Sequence, residues 1–202
     1  MYLYMSEHHD IPELTPAEQM RVRAMVSDMT EMVAGLGAGT ATSKDVEGAV
    51  ARIMSVDVDR GSTLNALHVP ADAGPSASAL ETILRRIPDG WGRWISHDAG
   101  WYPIVVGVDQ RLSAIDPEYV VHQIKEKFGT LRYYCAPSAD EPGPAVLEVF
   151  GAIIGEAERA SAITCERCSE PGVLHETRYL VKTLCASCAN SLGYTPVQQD
   201  TT

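Results

Sequence analysis

The sequence predicts an α+β protein in three parts: a helical N-terminal region (residues 1–70), a helix–β-hairpin–helix middle (71–163) and a small cysteine-paired lobe (164–202). Three observations predict it. Apolar residues recur at helical spacing through the N-terminal third. A run of strand formers folds about a Gly-Thr pair in the middle. Four of the five cysteines stand in two CxxC pairs near the end.

The elements follow in order. Thr15-Pro16-Ala17-Glu18 offers an N-cap, a proline at the first helical position and a capping-box glutamate. Val22, Met25, Val26, Met29, Met32, Val33 and Leu36 then mark an amphipathic helix near 16–34, its Met-rich stripe facing a core or another helix. Gly35, Gly37 and Gly39 end it; no phosphate loop is implied, because no Lys-Ser/Thr pair follows a glycine there. Val46, Val50, Ile53 and Met54 mark a second helix near 44–55. Residues 70–79, PADAGPSASA, form a linker or exposed loop. Leu80, Ile83, Leu84 and Ile87 then mark a short helix ended by Pro88. Trp91, Trp94 and Trp101 are expected to form the aromatic core of the middle region, and residues 100–114 another helix. The stretch EYVVHQIKEKFGTLRYYC, 118–135, fits helical spacing in part, but its strand-forming second half and the Gly129-Thr130 turn favour a β-hairpin. After Pro142-Gly143-Pro144, the residues Val146, Leu147, Phe150, Ile153, Ile154 and Ala157 mark a helix running to about 163.

Bulk properties restrict the function. With 202 residues, 45% of them hydrophobic, the chain can bury a core. Its formal net charge of −11 is divided evenly, −6 over residues 1–100 and −5 over 101–202. An acidic surface of this kind repels phosphate backbones, which disfavours generic nucleic-acid binding. No apolar run is long enough to cross a bilayer, and the N-terminus lacks the basic and apolar regions of a signal peptide. Paired cysteines in such a chain read as metal chemistry in a reducing compartment, so a cytoplasmic location is expected.

Cys165-Glu166-Arg167-Cys168 and Cys185-Ala186-Ser187-Cys188 give the spacing C-x₂-C-x₁₆-C-x₂-C, within the range of a four-thiolate zinc site. Each pair bends so that both sulfurs reach one ion. The intervening segment forms a hairpin, with a tight turn at Gly172 and arms from Val173-Leu174 and Tyr179-Leu180-Val181. The expected site is one structural zinc per chain, held by Cys165, Cys168, Cys185 and Cys188, in a small zinc ribbon whose folding energy the metal supplies. His175 is an alternative ligand, and no thioredoxin-like context supports a redox dithiol.

Five segments taken in order, HDAGWYPIV (97–105), QIKEKFGTLRYY (123–134), EAERASAITCERC (156–168), EPG (170–172) and TLCASC (183–188), resemble a family of small uncharacterised proteins found in bacterial genomes, prophages and phages. The resemblance covers about residues 76–189 and implies a Gly-Trp helix, a Lys-Glu-Lys-Phe-Gly-x-Leu-Arg block, a helix and a terminal zinc motif. It implies a mobile-element setting and no reaction. Two departures stand out. The chain has Ser96-His97-Asp98-Ala99-Gly100-Trp101 where members often carry a Cys-Gly-Asp-Gly-Trp run, and Ser169 where glycine is usual after the second cysteine.

The expected function is therefore a non-enzymatic interaction protein that binds a protein partner, with Lys125, Lys127 and Arg132 as the candidate contact patch. The alternatives are a zinc-ribbon nucleic-acid binder, using those cations with Arg178 and Lys182, and an enzyme using His97 and Asp98 as general base and orienter. No catalytic residue is assigned. Cys135 reads as a small buried hydrophobe, and His8-His9-Asp10 as a solvated terminus.

Overall fold

A computed structural model of the chain describes residues 16–54 and 60–197. Thr15, Asp200 and the His8-His9-Asp10 run lie outside the described residues. The chain divides into two units that part at Leu67.

In the first unit, α1 (Pro16–Gly37) and α2 (Ser43–Met54) pack together and are followed by a short α3 (Arg60–Asn65). Helix α1 runs past Gly35, where the sequence predicts its end. The chain instead turns at Gly39, whose φ of 67° lies in the left-handed region that glycine tolerates. Helix α2 opens with a reciprocal cap: the Thr42 amide donates to Asp45 at 2.8 Å, while the Asp45 amide donates to the Thr42 hydroxyl at 3.3 Å. Arg52 forks onto Asp28 at 2.9 and 3.0 Å, tying α2 to α1. The Met-rich stripe is only partly covered, with Met29 and Met32 half-buried and Met20, Val33 and Leu36 exposed.

The second unit is built on a three-stranded sheet in the order β1-β2-β3. Strands β2 (Val120–Lys127) and β3 (Thr130–Ala136) form the predicted hairpin, antiparallel with Lys125 opposite Arg132. A two-residue β1 (Ile95–Ser96), absent from the sequence reading, adds in parallel to β2 at Ile124 and Lys125. Helices α4 (Ala77–Arg85), α5 (Tyr102–Ile115) and α6 (Pro144–Ser161) surround this sheet, α6 packing on both α5 and β3, and the C-terminal lobe belongs to the same unit. Leu131 and Tyr133 reach the core by period-2 alternation, whereas Val121 and Ile124, three residues apart, both reach it because the ladder shifts register between Val121 and Gln123. They meet Leu80, Ile83, Leu84, Trp101, Val105, Leu112, Phe150 and Ile153 there. The stretch 70–79, expected to be a linker or exposed loop, is instead part of this unit: Ala73 is buried in the core, Gly74–Ser76 makes a 3₁₀ turn, and α4 begins at Ala77.

The aromatic core is a correction. Only Trp101 is fully buried; Trp91 is 59% exposed and stacks on the His122 ring at 4.9 Å, and Trp94 is half-buried. In place of three tryptophans, a polar chain threads the core. Tyr119 donates to Asp109 at 2.7 Å, shares a 2.8 Å hydrogen bond with Tyr133, and lies under the Arg86 guanidinium, which also binds Asp109 at 2.8 Å.

The C-terminal lobe is a second sheet, β5-β4-β6, formed by β4 (Val173–Glu176), β5 (Val181–Leu184) and a short β6 (Thr195–Pro196), with α7 (Ala186–Leu192) leading out of the second cysteine pair. Tyr179 and Leu180, expected in a strand, sit in the β4–β5 turn, which Thr177 closes by donating its amide to the Leu180 carbonyl at 2.8 Å.

Candidate metal centre

Both cysteine pairs converge. The four sulfurs of Cys165, Cys168, Cys185 and Cys188 all lie within 4.8 Å of one another, with Cys168 and Cys185 3.6 Å apart, and none is in a disulfide. Zinc at about 2.3 Å from each of four tetrahedral thiolates places neighbouring sulfurs about 3.8 Å apart, so the cluster fits a four-thiolate ion. The lobe has little else to fold around: Cys165, Leu184 and Ala189 are its buried apolar residues, with Cys185, Cys188 and Tyr194 against them.

Local structure aims each sulfur. Cys185 is the N-cap of α7, and its Sγ accepts the Cys188 amide at 3.5 Å. That amide holds the Cys185 thiol down to about 7, toward the thiolate a metal requires. The first pair is fixed by backbone: the Cys165 amide donates to the Glu170 carbonyl at 2.7 Å, and the Ser169 amide returns to the Cys165 carbonyl at 3.0 Å. Ser169 holds φ 67°, a left-handed conformation that glycine would adopt more readily. Its hydroxyl donates to the Gly100 carbonyl at 2.8 Å, giving the serine a use of its own. Gly172 is not in a left-handed conformation. It is needed because a Cβ there would lie 2.8 Å from the Cys165 backbone nitrogen.

The lobe is bolted to the core by residues that sequence reasoning assigned elsewhere. The Gly100 amide donates to the Glu166 carbonyl at 2.7 Å, and a Cβ on Gly100 would collide with the Cys165 carbonyl and sit 2.7 Å from the Cys168 nitrogen. Next to it the Trp101 indole donates to the Thr164 carbonyl at 2.8 Å. Beneath runs a buried ion cluster: Lys182 Nζ lies 2.7 Å from Glu166 Oε1 and 3.0 Å from Asp98 Oδ2, and the Asp98 amide donates to Glu166 at 3.2 Å. Glu166 is fully buried, and that burial pushes its carboxyl up to about 7, against the pull of Lys182.

These contacts settle the placement of the other candidates. Lys182 is 6% exposed and bound to two carboxylates, so it does not belong to a surface cation patch. His97 and Asp98 do not form a dyad. The His97 Nδ1 meets the Asp98 backbone carbonyl at 2.9 Å, the Asp98 carboxylate faces Lys182, and burial lowers the imidazole pKa to about 4. His175 lies outside the sulfur cluster, its Nδ1 on the Val173 carbonyl at 2.8 Å. Cys135 stands apart as well, half-buried, with burial pushing its thiol up to about 12. Arg132 pairs with Glu158 of α6, whereas Lys125 and Lys127 lie over the Tyr134 and Phe128 rings at 5.5 and 5.3 Å.

Local sequence carries no signal for Glu166 and Lys182, which read as surface charges, one inside the first CxxC and one in a strand. Among the described residues no helix is long and apolar enough to cross a membrane. No protein-family model, curated protein or solved structure matches the chain.

Proposed function

We propose that the chain is a non-enzymatic interaction protein carrying one structural zinc, and that it works by holding a protein partner. The convergence of four cysteine sulfurs within 4.8 Å carries the zinc reading. A four-thiolate set fills all four tetrahedral positions and leaves none for substrate, as in structural rather than catalytic zinc. The ion's part is to hold the two knuckles together in a lobe that has few buried apolar residues. The separate partners of His97 and Asp98 support a structural use of that segment over an acid–base one. The resemblance noted from the sequence supports a phage or prophage setting, and the unpaired thiols a reducing, cytoplasmic one.

Elemental analysis of protein purified without chelator is expected to give one zinc per chain, lost in Cys185→Ser. Metal-free protein with four freely titrating thiols sinks the reading. The nucleic-acid alternative retains Lys125, Lys127 and Arg178 as cations lying over aromatic rings, but has lost Lys182 to the buried cluster. On a chain of net charge −11, binding to random single- and double-stranded DNA and to RNA is expected to be weak at physiological salt.

A further inference from the structure

We infer that the tip of the β2–β3 hairpin is the docking surface for an acidic segment of the partner, with Phe128 as its apolar anchor and Lys125 and Lys127 as its charge contacts. The inference rests on the interaction-protein reading and gives it a location and a ligand chemistry.

Phe128 is the first observation. It is 70% exposed and holds φ 55°, a conformation unfavourable for a bulky side chain. The turn is held rigidly from within: Glu126 accepts the Gly129 amide at 2.6 Å, Thr183 of the lobe donates to the Gly129 carbonyl at 2.6 Å, and Leu174 fills the space a Gly129 side chain would need. A well-fixed turn that forces a large apolar ring into solvent gains nothing for folding from that ring.

Charge is the second. In this unit Arg85, Arg86, Arg93, Arg111, Arg132 and Lys182 each have a carboxylate partner, while Arg159, Arg167 and Arg178 have no such ion pair among the described residues and lie away from the hairpin in sequence. Lys125 and Lys127 have none among the described residues, and their ammonium groups lie over aromatic rings instead. The two lysines are two residues apart on β2, hence on one face, and Lys125 stands opposite Arg132, whose charge Glu158 of α6 already meets. An exposed ring in a left-handed turn and two lysines without carboxylates thus fall on one hairpin, and a ligand bearing carboxylates would pair the lysines. Leu174, 37% exposed and touching the turn, extends the apolar part of the surface beside Phe128. The hairpin itself offers two such cations on a chain of net charge −11, too few to hold a phosphate backbone, and the exposed Phe128 beside them suits an acidic polypeptide with apolar side chains.

The test uses the full, metal-loaded chain. A random-peptide display library is panned against it, and recovered sequences are synthesised with a fluorophore and titrated by anisotropy, beside a single-stranded DNA probe. Recovered peptides are expected to combine Asp or Glu with large apolar residues, to bind less tightly as salt rises, and to lose about tenfold or more in affinity to Lys125→Glu with Lys127→Glu. Phe128→Asn, which suits the left-handed turn, is expected to lose affinity similarly while the melting temperature stays level or rises. A ring with a merely structural role would lower the melting temperature when removed. Recovery of no acidic peptides, affinity indifferent to Phe128→Asn, a fall in melting temperature with that change, or tighter Phe128-dependent binding to the DNA probe overturns the inference. Zinc content measured on the same samples tests the metal reading separately, and binding of the acidic peptides at other residues would spare the interaction reading while rejecting this surface.

Discussion

The two cysteine pairs have the same spacing and different surroundings. Between Cys165 and Cys168, Glu166 is fully buried; its amide donates to Thr183 at 2.8 Å, its carbonyl accepts from Gly100, and its carboxylate meets Lys182. Between Cys185 and Cys188, Ala186 and Ser187 are exposed and belong to the first turn of α7. The first knuckle therefore supplies two sulfurs to the cluster and also docks on the core, whereas the second mainly completes the set of four. A CxxC motif specifies where sulfur goes and leaves open which residue between the cysteines matters.

Mutations at equivalent places should separate the two roles. The largest effect is expected from Lys182→Met, which leaves Glu166 and Asp98 buried without their cation at a cost of about 3–5 kcal/mol. Chemical denaturation above neutral pH measures it, and adding Glu166→Gln should restore part of the loss; a loss under about 1 kcal/mol would show that protonation of Glu166 or entering water makes up for the ammonium. Gly100→Ala comes next, at about 1–3 kcal/mol, because the new methyl group collides with the first knuckle's backbone. Its signature is a changed environment for Trp101, whose indole donates to Thr164, seen as a shift in tryptophan emission. An unshifted spectrum and unchanged stability would mean that the knuckle does not dock there.

The third effect is a pH dependence. The buried His97 has a pKa of about 4, against 6.5 for the free group. Between these values the unfolded chain binds the extra proton, so stability falls as pH drops from 6.5 toward 4, by at most about 1.4 kcal/mol per pH unit. Comparing wild type with His97→Gln removes the contribution of other groups. Parallel curves for the two would place His97 in contact with solvent. The smallest effect belongs to the second knuckle: Ala186→Lys or Ser187→Ala should keep the metal and change stability by no more than about 0.5 kcal/mol.

Legibility followed the range of the interactions. The β-hairpin at 120–136 was readable because strand-forming residues and a Gly-Thr turn are local, and the helices because their apolar periods are, but the register shift that buries both Val121 and Ile124 breaks the simple alternation of β2. Helix α1 outran its predicted end because Gly35 and Gly37 are tolerated inside a helix at modest cost, and the chain turns only where Gly39 adopts a left-handed backbone. The short β1 could not be seen, since two residues carry no period and its partner strand lies 29 positions away at Ile124. The tryptophans misled for a related reason: clustering in sequence says nothing of which ring a helix turns inward, and Trp101 alone lies between the core and the first knuckle.

By itself the sequence determined the α+β class, the hairpin and the four sulfurs that come together, because strand alternation, turn chemistry and ligand spacing all act over a few residues. Only the tertiary structure decided that Lys182 is a buried ion-pair partner, that Gly100 leaves room for the first knuckle, and that Phe128 faces solvent. Each of these depends on residues brought together from distant parts of the chain, Asp98 and Lys182 being 84 positions apart. Whether a charge is solvated or buried is set by what the fold lays over it, and no local pattern records that.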